Sequence, residues 1–406
     1  MLRRRTFIAS TLASAAAAAL PAVSLGAIRK FAKPRSAKNA EHTVVYRNDG
    51  EFNAWPYTMG FWETADGHLV QNFMRAKADY SDAGKISHDV IGTGGATLVS
   101  IRSRDRGRSW DAPTPYNFER LGAHDGTGES LAELGPIDYT SKDVLVWSSS
   151  TAFGTPEGRP YVRVSRDSGK TWSRAYRLPL DGLPSASANA SQMVRPDGRS
   201  LLFLTMVSKD GWSRRPMVYG SVPDGSTWHF MSFITPKEDP YGAADGDWKS
   251  TFRFGGHRWF YPRGQMLPSG RILCTLRSQR DPTGVMWTEL HYSDDGGATW
   301  AFLSRINDFG APGSLVQLKD GRLVCVYGFR LPPYGVRACV SEDQGQTWGP
   351  EIVIRDDGGS WDLGYPNAIE SEPGKIMAIY YFNSKNDRIQ ANGGVRHIAR
   401  TVFTVD

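Results

Sequence analysis

Three kinds of side chain in this sequence have the type and spacing to do chemistry on a small polar ligand. His88-Asp89 ends a polar loop that also carries Asp79 and Asp82. An imidazole takes or gives a proton at neutral pH, so this pair is the preferred acid/base candidate. Tyr365, in Trp361-Asp362-Leu363-Gly364-Tyr365-Pro366, offers a phenol. With an ordinary pKa of about 10, a phenol acts near neutrality only beside a base or a cation. The third kind is arginine: Arg75, Arg263, Arg277, Arg330 and Arg337 lie on or just after strand-like runs. Planar guanidinium forks converging on one point suit a carboxylate. Tyr334, Trp55, Tyr57 and His124 complete the candidate binding set, and His257 stands with His124 in the second rank. Each has a plainer reading: a solvated loop for His88, ring packing for Tyr365, a surface ion pair for any one arginine. No H-E-x-x-H, C-x-x-C or oxygen-rich loop of known spacing occurs, so no metal or other cofactor is expected.

These residues are spread over some three hundred positions, and a repeat must bring them together. An eight-residue phrase returns along the chain: S-R-D-R-G-R-S-W at 103–110, S-R-D-S-G-K-T-W at 165–172, S-D-D-G-G-A-T-W at 293–300 and S-E-D-Q-G-Q-T-W at 341–348. A worn copy, S-V-P-D-G-S-T-W, occupies 221–228. Asp and Ser can bond the backbone of a tight turn, Gly supplies its positive φ, and Trp opens the next strand with a large apolar face. Each phrase therefore joins the last two strands of a small antiparallel sheet. A second turn, of the type Asp66-Gly67-His68-Leu69 or Asp320-Gly321-Arg322-Leu323, precedes an apolar or alternating strand and counts the sheets. Six result, near 50–115, 130–180, 187–235, 258–305, 311–355 and 361–403. A lone sheet of this kind leaves one face bare, whereas six around an axis bury them all. The expected fold is all-β, a six-bladed propeller, with Thr43–Tyr46 as an outer strand closing the ring against the last blade. The boxes belong on the outer rim and their tryptophans between blades.

The octapeptides are Asp-boxes, and residues 43–406 resemble the sialidase superfamily of β-propellers. The resemblance implies a secreted exo-glycosidase that removes an acidic sugar from a glycan. It also implies an acid/base group in the interval that holds His88-Asp89, a tyrosine nucleophile at Tyr365, and a set of arginines around the sugar carboxylate. Two positions depart from the pattern. Phe52-Asn53-Ala54-Trp55-Pro56 has no arginine where the first of that set is expected, and Tyr261-Pro262-Arg263 has arginine where the carboxylate that activates the tyrosine is expected. Two other readings stay open: a polysaccharide lyase eliminating at a uronate with His88, Tyr365 and arginines, and a glycan-binding propeller without catalysis.

The first residues read as a leader. Arg3-Arg4-Arg5 precede Thr6-Phe7-Ile8, a mild apolar run and Pro21. This pattern resembles a twin-arginine export signal over 1–27, cleaved after Ala22 or Ala27, with a linker over 28–42; it places the protein in the periplasm or outside the cell. The leader also explains the charge. The chain is +6, but residues 1–40 carry eight Lys and Arg and no acid, leaving 40 basic against 42 acidic residues. A slightly acidic body argues against nucleic acid as partner. No later run is apolar enough to span a membrane. Cys274, Cys325 and Cys339 fall in apolar runs and read as small buried hydrophobes.

Overall fold

The sixth blade shows how the ring is held shut. In the computed structural model its strands Gly364–Glu372, Lys375–Phe382 and His397–Thr404 come from the end of the chain, and its outer strand, Lys38–Tyr46, comes from the beginning. That strand pairs antiparallel with His397–Thr404, from Lys38 opposite Thr404 to Tyr46 opposite Ile398. The closing strand thus starts at Lys38 and not Thr43. A further pair of residues, Arg35–Ser36, adds in parallel to blade 5 at Ile352–Val353. The segment expected as linker is therefore already sheet from residue 35, because its backbone donors and acceptors complete two edges. The structure describes residues 32–88, 95–116, 131–209, 211, 214–237, 258–279 and 285–405.

Six sheets follow in chain order, as the turn count requires. Blades 3, 4 and 5 run antiparallel from an inner strand (Ser187–Val194, Arg258–Met266, Gly313–Gln317) outward to Trp228–Phe233, Ala301–Arg305 and Ile352–Arg355. Among the described residues blade 2 shows three strands, Leu145–Thr151, Arg159–Ser165 and Tyr176–Arg177. Blade 1 has a broken inner strand. Glu51–Ala54 and Phe61–Glu63 both pair with Leu69–Lys77, and a single helical turn, Pro56–Met59, stands between them. Proline at the first helical position fits that turn, and Gln71 Nε2 caps it by donating to Pro56 O and Gly60 O at 3.0 Å each. The break matters because it delivers Tyr57 to the centre of the ring.

The Asp-boxes lie between the third and fourth strands, on the rim. In the blade 4 copy Ser293 Oγ donates to Asp295 Oδ1 (2.8 Å), Gly297 N donates to Ser293 Oγ (2.8 Å), and Thr299 donates through its amide and hydroxyl to Asp295 (2.9 and 2.6 Å). The boxes at 103, 165 and 341 repeat these bonds. The worn copy keeps only a shorter turn, with Ser226 N bonded to Asp224 Oδ1 at 3.0 Å. Three box tryptophans reach back to the preceding blade: Trp348 donates to Ser304 Oγ (3.0 Å), Trp300 to Ser232 Oγ (3.2 Å), and Trp172 packs on Trp62 and Tyr116 of blade 1. The three cysteines are buried and form no disulfide.

Candidate functional site

The centre of the ring is built by strained aromatic residues on the inner strands. Trp55, Tyr261 and Tyr365 have φ of 60°, 53° and 50°. Holding a residue other than glycine in the left-handed region costs on the order of 1–3 kcal/mol, and such strain gathers at functional sites. Each sits at an interruption: Trp55 before the helical turn, Tyr261 in the register shift between Phe260 and Arg263, Tyr365 in the shift between Gly364 and Asn367. The irregularities turn Tyr57, Tyr261 and Tyr365 toward one another. Their ring centres are 5.6 Å (Tyr261–Tyr365) and 6.5 Å (Tyr57 to each) apart. Tyr365 is buried and its hydroxyl donates to that of Tyr261 at 3.2 Å. Burial, then the neighbouring Tyr261, raises the Tyr365 pKa above its ordinary value, against a downward pull from Arg277 and Arg330. Tyr365 therefore rests as a phenol.

Of the five expected arginines, two stand beside Tyr365. Arg277 Nη1 donates to its hydroxyl at 3.3 Å, and the Arg330 guanidinium stands 5.2 Å from its ring centre. Arg330 has no fork to offer a ligand, however. Its Nε, Nη1 and Nη2 are taken by the carbonyls of Ala311, Trp361 and Leu363 at 3.0–3.1 Å. Arg263 is likewise spent inside, stacked 3.6 Å from the Tyr57 ring and bonded to Tyr57 O and Asn367 Oδ1. Arg337 lies on the third strand of blade 5, paired with Glu351 and stacked on Phe329. Arg75 turns to the Tyr46 phenol at the blade 1–6 seam. Tyr334 packs in the seam between blades 5 and 6. Position along a strand is readable from sequence, but the face a side chain takes is decided by what it meets, and these four arginines met acceptors or aromatic rings. Two further arginines, Arg214 and Arg258, stand with Arg277 around Phe260.

His88 reaches the same centre from blade 1. Its Nδ1 lies 3.0 Å from Asp362 Oδ1 and 3.2 Å from the Trp55 indole nitrogen. One nitrogen cannot accept from the indole and donate to the carboxylate together. Asp362 is ionised: burial alone would raise its pKa, but the hydrogen bond and charge of His88, with Arg396 and Tyr381, hold it well below the usual range. Nδ1–H therefore donates to Asp362, which leaves Nε2 free to carry a proton. Tyr381 donates to the same carboxylate oxygen at 2.5 Å, its ring 5.8 Å from Tyr365. Asp362 is the residue that sequence reading quoted but left without a role. Its place three positions before Tyr365 was the available signal. Asp89, His124 and His257 lie outside the described residues.

Two exposed aromatic rings flank this centre. Phe153 lies nearly parallel to Tyr261 (8°, 6.4 Å), and Trp361 stands 6.3 Å from His88. Exposed rings beside polar groups are suited to the apolar faces of sugars. Among the described residues no three His, Cys, Asp or Glu side chains are placed to hold a metal ion.

Comparison with known proteins agrees with this layout. A family model described as a BNR repeat-like domain matches residues 144–378. Among solved structures, a protein of unknown function from Dyadobacter fermentans is similar at a TM-score of 0.67 and 23% identity, over 91% of this chain and 99% of that one. An α-L-arabinanase of Penicillium chrysogenum complexed with arabinobiose gives a TM-score of 0.56 at 12% identity, over 91% and 99%. Trypanosoma rangeli sialidase in complex with the inhibitor DANA gives 0.54 at 12%, over 90% of this chain and 60% of that one. No curated protein matches.

Proposed function

Because the chain belongs to the BNR repeat-like domain family and shares its fold with glycosidases, we propose that it is an enzyme that cleaves the glycosidic bond of a carboxylated sugar. The observation that carries this reading is the Arg277–Tyr365 contact, a cation set against a phenol at the centre of the ring. Arg277 takes the carboxylate, and Tyr365 and His88 are the two protic groups that face the bond to be broken. The course suggested by the neighbouring folds is hydrolysis. Tyr365 gives up its proton through the Tyr261 hydroxyl and attacks the anomeric carbon. The C–O bond to the next sugar breaks as His88 protonates the leaving oxygen, and a water then displaces Tyr365, returning its proton. The leader-like pattern of residues 1–27 is consistent with action outside the cytoplasm.

A specific observation favours a second course, elimination. Tyr365 rests protonated and no described carboxylate touches its hydroxyl, while His88 is set up by Asp362 as a base. In that course His88 Nε2 removes the proton next to the carboxylate. The electron pair forms a carbon–carbon double bond, the C–O bond to the next sugar breaks, and Tyr365 protonates the leaving oxygen. Incubation of the mature protein with uronate-containing oligosaccharides, with products followed by mass and near-ultraviolet absorbance, separates the two. Hydrolysis adds one water and no absorbance; elimination adds absorbance and no water. No cleavage of any carboxylated glycan overturns both.

A further inference from the structure

Phe260 gathers three cations. The guanidinium carbon of Arg214 stands 4.0 Å from its ring centre, that of Arg258 4.9 Å and that of Arg277 5.5 Å. Like charges so placed repel, and partial burial adds to the cost. Burial, with Arg277 adding to it, lowers Arg214 to about 10; burial, then Arg214 and Arg277, lowers Arg258 to about 9. Both remain charged at neutral pH.

Arginines elsewhere in the ring are occupied: Arg271, Arg305, Arg337 and Arg355 each face a carboxylate, and Arg263 and Arg330 are held by carbonyl oxygens. No carboxylate among the described residues faces Arg214 or Arg277. Among the described residues Arg214 gives one hydrogen bond, to Gly154 O at 2.9 Å, and Arg277 bonds only the Tyr365 hydroxyl and Gln279 Oε1. The Nε of each is buried without a partner. The side chains are half-buried, and the exposed Phe153 ring, next in sequence to Gly154, lies along Tyr261 beside them. The arrangement has positive charge and unused donors on one side and a sugar platform on the other.

We propose that Arg214, flanked by Arg258 and joined to Tyr365 through Arg277, is a second anion subsite. It takes a sulfate ester or a carboxylate on the sugar next to the one at Tyr365. The substrate is then a polyanionic glycan, an inference that rests on the carboxylated-sugar reading above. The second anion supplies the negative charge that no described carboxylate brings to Arg214 and Arg277.

Calorimetric binding to the mature full chain tests this with a mono-uronate, the same sugar bearing a sulfate ester, a di-uronate, and inorganic sulfate alone. One of the two doubly anionic ligands binds roughly tenfold or more tighter than the mono-uronate, as a charge-assisted contact implies, and which one does identifies the group. In Arg214→Gln the mono- and dianionic ligands bind alike, and the ligand-free variant melts higher than wild type because repulsion is relieved. Arg214→Lys, which keeps the charge and loses the fork, retains part of the gain. Equal binding of mono- and dianionic ligands to wild type, or a gain that survives Arg214→Gln, overturns the subsite. Should no uronate bind, inorganic sulfate decides separately. Binding to wild type and not to Arg214→Gln supports the anion subsite while the carboxylated-sugar reading fails; equal binding to both overturns it.

Discussion

The rim and the centre of this ring handle polar groups in opposite ways. On the rim, four Asp-boxes repeat one set of bonds in which Ser, Asp and the turn amides satisfy each other. Their chemistry is closed: Asp295 is held to about 2 by the Thr299 hydroxyl and amide, with nothing left to give a ligand. At the centre nothing repeats. Three left-handed aromatic residues, a histidine on a buried aspartate and guanidiniums with idle Nε groups face one another. Saturated polar groups hold shape; groups left unsaturated at a cost in stability are where a ligand completes the structure.

That contrast can be broken by substitution, beginning with the largest effect. Trp348→Ala on the rim removes a ring buried between blades and should cost about 3–5 kcal/mol in urea unfolding, with turnover of the folded fraction unchanged. Tyr365→Phe at the centre should reverse the pattern. Stability holds, while turnover falls by roughly 10² or more, the loss expected when proton-transfer help goes. Asp362→Asn replaces the charged acceptor that fixes the His88 tautomer with a neutral amide able to donate to Nδ1 instead. Turnover then falls by roughly tenfold or more and its pH profile shifts, a change that loss of packing alone would not produce. The folded pKa of Asp362 is depressed, so its contribution to stability is full above the unfolded value of about 4 and disappears as pH falls through the folded one. Acid unfolding of Asp362→Asn should lack that dependence. Smallest of all, Arg337→Lys should leave the Michaelis constant for acidic substrates unchanged, since Glu351 and Phe329 already occupy Arg337.

The rim was legible in the sequence because a box is local: eight consecutive residues contain the turn, its bonds and its tryptophan. The ring closure followed from the blade count, although the closing strand reaches back to Lys38. The centre was legible only in residue type. His88 and Tyr365 could be singled out as proton carriers, but the partner that orients His88 comes from the last blade, 274 positions away. Arginines were hardest. Arg330 and Arg263 end in backbone carbonyls and an amide that only the folded ring presents, while Arg214 and Arg258 join Arg277 through a shared ring, Phe260, that no spacing announces.

The central claim is that a carboxylate is recognised beside Tyr365, and one paired measurement addresses it. Cleavage rates are compared for a uronate-containing oligosaccharide and its methyl ester, which keeps the shape and removes the charge. Wild type should cleave the acid and lose most of its kcat/KM on the ester, and Arg277→Gln should narrow that gap. Equal rates on acid and ester in the wild type would contradict the claim.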